Sequence, residues 1–340
     1  MIAGQFWHGS LEGSYARAFR RLGFEVLEWD VSKAVSRYAR LGPLGRILSA
    51  FVNVEPWAAK VGRDLTVAAR EFGPHLLIVG GASPVPAGAL AQVKASIPET
   101  MTVLLWPDPL LSLRSFTLAA IPVYDMIATY SQSTVDSFLR LGARRADWVP
   151  LAYDPELHPA DAIPTSEDSK TYGCDIAFVG NYRPERELLI ADLTQAGFSV
   201  KVWGPVDWAR KARHRQSVLQ YWQRRELYGV PFVIAAKTAR LNLNPIDDTA
   251  FPASNMRMFE IMGCGATLLN SKCPELEGEF PNSVATFYYS DRSSLISTVE
   301  DIFGNEDRLL AVRETGRSMV LRRHTYTHRA ESLLRCLQLS

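Results

Sequence analysis

Residues 254–269 read SNMRMFEIMGCGATLL, and two of them could do chemistry that their neighbours do not call for. Taken as a helix from Ser254, the stretch is apolar on almost every side through Met256, Met258, Phe259, Ile261 and Met262, the pattern of a buried helix. Arg257 and Glu260 interrupt it, and buried charges are costly unless paired or bound to something. Their plain structural use would be an i,i+3 ion pair on a partly exposed edge, worth roughly 0.2–0.5 kcal/mol. The order argues for more. Arg257 falls in the first turn, where the helix dipole is positive and a cation is disfavoured. An anion at that helix start reverses the penalty, held by free backbone N–H groups and the guanidinium together. Ser254 and Asn255 add capping oxygens or further donors. Glu260, one turn deeper, can accept hydrogen bonds from vicinal hydroxyls. Phosphate and ribose together suggest a nucleotide.

A second stretch, CDIAFVGNYRPERELL (174–189), ends a buried strand at Gly180 and opens a helix with Pro184 at its first position. Gly180 and Asn181 let backbone approach a ligand closely, and Arg183 and Arg186 put positive charge near the helix start. A tight strand-to-helix turn with solvated arginines is the plain alternative. Asn244 closes the strand LNLN, whose loop LNLNPIDD lies on the same edge. No GxxxxGK[ST] occurs, which argues against a P-loop kinase or ATPase. In the other half, FWHGSLEGS has two glycines but not the GxGxxG spacing, which disfavours an NAD-dependent oxidoreductase. His8 and Asp108, the latter in the turn WPDP, are ionisable groups at strand ends, where a general base would sit; as plain residues they would serve a turn or cap. DWARKARHRQSVLQYWQRRE (207–226) is basic and aromatic. It reads as a helical stretch with a solvated face and Trp208, Tyr221 and Trp222 packed inward, and it leaves peripheral membrane contact open.

The elements that must position these residues alternate. IAGQFW, EVLEWD, HLLIVGG, TVLLWPD, MIATYS and DWVPLA read as strands, with helical segments such as SYARAFRRLG, GALAQVKAS and TVDSFLRLG between them. Residues 154–173, rich in proline and polar residues, read as a linker. The alternation then resumes through CDIAFVG, VKVWG, ARLNLN, ATLLN and ATFYY, and the chain closes on a helical segment from about Asp307 to Ser340. Such alternation implies βαβ units and parallel sheets. The expected fold is therefore α/β, two Rossmann-like doubly wound domains facing across a cleft. The expected bounds are 1–155, a linker 156–173, 174–315, and a closing helix 316–340 packing back across the junction. Ligands bind beyond the carboxyl ends of strands in such sheets, which is where every candidate above lies.

Bulk properties narrow the classes. The 340 residues carry a formal net charge of +1, with 47% hydrophobic and 21% charged residues, the composition of a globular chain without an electrostatic case for nucleic acid. Four cysteines lie far apart with no CxxC and no histidine at metal-ligand spacing, so reduced thiols and no metal site are expected. The N-terminus does not read as a signal peptide, no apolar run reaches ~18 residues, and a cytoplasmic location is expected.

FVGNYRPERELL, VKVWG, LNLN, SNMRMFEIMGCGATLL and HTYTHRAESLL together resemble the CgeB-like, spore-maturation-type glycosyltransferases with the GT-B fold. PHLLIVGG, LLWPDP, YDMIATYSQSTVDSFLRLGA and VPLAYDPELHP extend the resemblance over nearly the whole chain, with Arg257 to Gly265 its most specific part. It implies a nucleotide-sugar donor held mainly by the C-terminal domain, a hydroxyl acceptor of unknown identity held mainly by the N-terminal one, and catalysis without a metal ion or other cofactor. By that resemblance Glu260 contacts the ribose and Arg257 with the Ser254 helix start holds the diphosphate. Gly180, Asn181 and Arg183 lie along the donor, and the final helix, with His324, Tyr326 and His328, packs back over the junction. One departure stands out. Many retaining relatives carry two glutamates separated by seven residues, and the first of those positions here is Pro252. An inverting reaction would need a base from the N-terminal domain, for which Asp108 and His8 are the candidates. A nucleotide-sugar-binding or assembly protein without turnover, and a nucleotide-sugar epimerase, share the architecture and stay as alternatives. Oligomeric state is not legible.

Overall fold

The structure is a computed structural model that describes residues 1–33, 55–81, 83–213 and 218–339. Its contacts divide the chain into two compact units, Met1–Pro150 with Tyr326–Ser340, and Leu151–Thr325.

The first unit holds a six-stranded parallel sheet of β1 (Ile2–Gly4), β2 (Glu28–Asp30), β3 (Leu76–Gly80), β4 (Met101–Trp106), β5 (Met126–Thr129) and β6 (Ala146–Trp148). The order is β2-β1-β3-β4-β5-β6, so the direction of winding reverses between β1 and β3. The central strands are near-continuous apolar runs, as strands covered by helices on both faces must be, and Leu77, Val79, Leu104, Trp106, Ile127 and Phe138 form one core. The second unit holds a five-stranded parallel sheet of β7 (Ile176–Val179), β8 (Val200–Trp203), β9 (Leu241–Asn244), β10 (Leu268–Ser271) and β11 (Phe287–Tyr289). Its order is β11-β10-β9-β7-β8, which puts the reversal between β7 and β9. In open sheets that reversal is the crevice where ligands bind.

All eleven expected strands are present and parallel. Four boundaries differ from the sequence reading. Within the expected linker, residues 166–172 form a helix, Ser166–Tyr172, closed by a capping box in which Thr165 and Asp168 bond each other's backbone N–H; the stretch belongs to the second unit. The closing segment is two helices, Glu306–Arg323 and Tyr326–Leu337, of which the first belongs to the second unit and the second to the first unit. The break falls at His324, whose backbone leaves the helical region (φ −127°, ψ 38°) and whose ring is buried against Phe259 and Phe280. The basic stretch 207–226 is helical over Asp207–Lys211, and residues 214–217 lie outside the described residues. Trp208 is fully buried, Tyr221 and Trp222 pack on the same core, and Trp222 bridges to Val202 instead of continuing a helix. Finally, the helix expected from Ser254 begins at Met256. Among the described residues no helix is long and apolar enough to cross a membrane.

Candidate functional site

In the second unit the ligand edge is built around the reversal between β7 and β9. Gly180 follows β7, and its N–H donates to the Trp203 carbonyl at the end of β8 while its own carbonyl accepts from Trp208 Nε1. A Cβ on Gly204 would stand 2.2 Å from that carbonyl oxygen, so only glycine lets the two strand ends approach so closely. Asn181 is exposed beyond it. Arg183 occupies the N-cap of the Pro184–Gln195 helix without a side-chain cap bond, and reaches Asp247 Oδ2 at 3.1 Å through Nε. Arg186 is turned inward: it donates to the Asn181 carbonyl at 3.0 Å and the Pro245 carbonyl at 3.3 Å. It thereby ties together the loops after β7 and β9, and burial lowers its pKa. Burial works against the charge on Asp247. Hydrogen bonds from Thr249 and the nearby Arg183 and Arg186 outweigh it and hold that carboxyl below its usual range.

The Met256–Gly263 helix starts beside the end of β9. Asn255 takes the N-cap position, but its side chain makes no cap bond. Its amide is exchanged with that of Asn244 in two reciprocal hydrogen bonds of 2.9 and 3.0 Å, and Asn244 also donates to Asn270 Oδ1. Ser254 is buried, with its hydroxyl on the Met258 sulfur and the Asn255 carbonyl. One expectation is corrected here: Ser254 does not cap the helix, because its hydroxyl is taken by the Met258 sulfur and the Asn255 carbonyl. Asn244, buried at the strand end, holds Asn255 and Asn270 and so fixes the helix start. The consequence is a helix N-terminus that no side chain caps, the condition for anion binding.

Arg257 and Glu260 are joined by a short ion pair between Nη1 and Oε2, with side-chain exposures of 18% and 8%. The pair is therefore mostly desolvated, not the partly exposed edge pair of the plain alternative. The guanidinium also stacks over Phe232, 4.5 Å from the ring centroid, a favourable cation–π contact. The other Glu260 oxygen, Oε1, faces His158 Nδ1 at 3.8 Å. Phe232, His158 and Asn270 were not legible as site residues in the sequence. Phe232 lies in an apolar helical run, and His158 in a proline-rich stretch that reads as linker.

In the first unit His8 is exposed in the turn after β1, and Asp108 is half-buried after β4, where burial raises its pKa. No hydrogen bond or ion pair joins the two among the described residues. Glu12, which the sequence reading passed over, sits at the reversal itself. It lies in the first turn of the Leu11–Arg21 helix, 8% exposed, and its side chain fills the space over Gly4 and Gly80, where a Cβ would come within 2.3 and 2.0 Å of it. Burial raises its pKa against backbone hydrogen bonds at residues 12 and 5. Glycines closing two adjacent central strands, with a glutamate at the second position of the intervening helix, are the signal that could have found it. A cavity of about 620 Å3 opens at the opposite edge of this sheet, among Phe19, Phe24, Phe72, His75 and Leu334. It is remote from the strand carboxyl ends and takes no part in the site.

Comparison with known proteins identifies the architecture. Residues 183–335 match a family described as glycosyl transferase-like. That span holds the Met256–Gly263 helix with Arg257 and Glu260. The chain has the GT-B fold. Solved structures superpose over essentially the whole chain at low identity. A sucrose-phosphate synthase from Thermosynechococcus elongatus gives a TM-score of 0.68 at 11% identity, covering 99% of this chain and 98% of that one. Anabaena Alr3699/HepE in complex with UDP-glucose gives 0.65 at 13%, covering 99% of each. A UDP-forming trehalose-phosphate synthase from Burkholderia xenovorans gives 0.65 at 11%, covering 99% and 98%. No curated protein sequence matches this chain.

Proposed function

We propose that the protein is a glycosyltransferase of the CgeB-like type, that it moves a sugar from a nucleotide-diphosphate sugar to a hydroxyl acceptor, and that the donor lies on the carboxyl edge of the second sheet. The observation that carries the reading is the largely buried Arg257–Glu260 pair at an uncapped helix start beside the reversal of that sheet. Support for a uridine nucleotide comes from the superposable Anabaena protein, solved with UDP and with UDP-glucose.

In the proposed mechanism the diphosphate sits against the backbone N–H groups of the first turn, with Arg257 and the exposed Arg183 supplying positive charge. Charge that develops on the leaving diphosphate is stabilised by these preorganised groups, without a metal ion. Glu260 accepts the ribose hydroxyls. Gly180 and Asn181 line the donor. An inverting reaction requires a base to take the acceptor proton as the glycosidic bond forms. Asp108, whose carboxyl is made more basic by burial, is the first candidate, and His8 the second. Asp108→Asn should lower kcat by about 100-fold or more with donor KM unchanged, the range for general-base removal.

The test is calorimetric titration of UDP, GDP, dTDP and ADP against the protein, with Glu260→Ala and Arg257→Ala alongside. One nucleotide should bind, and both variants should lose it. Binding by none of the four would overturn the donor site. Binding without sugar transfer or donor hydrolysis would favour a nucleotide-sugar-binding protein, and isomerised sugar without an acceptor product would identify an epimerase.

A further inference from the structure

The two oxygens of Glu260 are held differently. Oε2 is taken by Arg257, whereas Oε1 looks at His158 Nδ1 across 3.8 Å. An anion at the helix start competes for the first of these contacts. Side chains on a helix lean toward its N-terminus, so a guanidinium that engages a diphosphate there moves away from Glu260, which lies one turn in the other direction. A carboxylate only 8% exposed then needs another donor, because an unpaired buried charge is costly.

His158 is built into that position. It is 1% exposed, and its ring lies 4.8 Å from the Phe232 centroid, the same ring that carries Arg257. Its backbone N–H donates to the Asp154 carbonyl at 3.0 Å, and its backbone carbonyl accepts from the Tyr153 hydroxyl. Tyr153 in turn occupies the space over Gly263, where a Cβ would stand 2.4 Å from the ring. The histidine is thus anchored to the helix that carries Glu260. A carboxylate shift of about 0.8 Å would close the gap to the usual ~3.0 Å of an N–H···O bond.

We infer that His158 is a positioning residue for the donor: with Nδ1 protonated, it steadies Glu260 for the ribose hydroxyls once Arg257 has turned to the diphosphate. The inference rests on the donor reading of Glu260 and Arg257 given above. It separates the two halves of the nucleotide. Ribose recognition depends on His158, and diphosphate recognition does not.

A purely packing role makes the opposite prediction from a hydrogen-bonding one, and two substitutions divide them. His158→Phe keeps the ring on Phe232 and removes the donor. His158→Asn keeps a donor near Nδ1 and leaves a small void. The experiment is calorimetry of UDP and of inorganic pyrophosphate against the full chain and both variants, with thermal unfolding alongside. His158→Phe should weaken UDP about tenfold and leave pyrophosphate unchanged, whereas His158→Asn should hold UDP within about threefold despite a lower melting temperature, the sizes expected for one hydrogen bond to a charged group. If folded His158→Phe binds UDP like the parent while Glu260→Ala does not, the inference is overturned and the donor site stands. If His158→Asn loses UDP as fully as His158→Phe, the donor role is likewise overturned. A parent chain that binds none of UDP, GDP, dTDP and ADP overturns the donor reading itself, and the inference with it.

Discussion

Replacing Arg257 by methionine leaves the Glu260 carboxylate, 8% exposed, without its closest counter-charge. Breaking a fully buried pair from one side costs roughly 3–5 kcal/mol. Arg257 is 18% exposed and His158 stands within 3.8 Å, so the lower end, about 3 kcal/mol, is expected for Arg257→Met. Glu260→Met should cost less, about 1–2 kcal/mol, because the freed guanidinium keeps its contact with Phe232 and can turn toward water. The double variant should be milder than Arg257→Met, within about 1 kcal/mol of the parent, since two apolar side chains of similar length need no partner. In a unit of this size 1 kcal/mol shifts the melting temperature by roughly 2–4 °C, so Arg257→Met should lower it by about 6–12 °C. Hydrogen exchange followed by mass spectrometry on peptides from the Met256–Gly263 helix reads the second unit separately. All three variants should lose nucleotide binding, by at least tenfold for the charge-assisted contacts removed. A double variant as unstable as the sum of the singles would refute the reasoning, for zero coupling would mean that the two charges do not compensate each other in the folded chain.

Three further predictions follow from single positions. Arg183→Ala removes a side chain that is 58% exposed and paired only at the surface with Asp247; stability should change by less than about 0.5 kcal/mol, while donor KM rises about tenfold in steady-state assays. Glu12→Gln should raise the melting temperature at pH 7 and lose that advantage at low pH. Its folded pKa is raised by burial, so the ionised form opposes folding: the parent is relatively most stable below the unfolded pKa and loses stability as pH rises through the folded value. Scanning calorimetry of both proteins between pH 4 and pH 8, an order-of-magnitude window around ordinary carboxyl values of about 4, should show the difference growing with pH. Gly263→Ala drives a methyl group into the Tyr153 ring and should cost about 1–3 kcal/mol, the range for overpacking, with Tyr153→Ala relieving part of that cost in a double-mutant cycle.

The sequence by itself determined the eleven strands, the parallel α/β class and the strand ends at which the proposed site lies. Each of these rests on short-range regularities: apolar runs of strand length, helical periodicity between them, and glycine or proline at the joins. It also singled out Arg257 and Glu260, since two charges in an otherwise apolar helix conflict with burial wherever that helix packs. Some local signals were present but outweighed by composition. The Thr165–Asp168 capping box was masked by the surrounding prolines, and the break at His324 by continuous helical propensity on either side.

What only the tertiary structure decided concerns pairs distant along the chain. Asn244 and Asn255 exchange hydrogen bonds because β9 ends beside the helix start. Glu12 becomes a buried carboxyl because β1 and β3 are neighbours at the reversal of the first sheet. His158 meets Glu260 because the segment after Pro150 packs onto a helix about a hundred residues later, across Tyr153 and Gly263. Hydrogen bonding and hydrophobic periodicity along one element are local and can be read residue by residue. Desolvation and charge pairing are set by which elements come to lie side by side, and in a doubly wound sheet the spatial order of the strands is not their order in the chain.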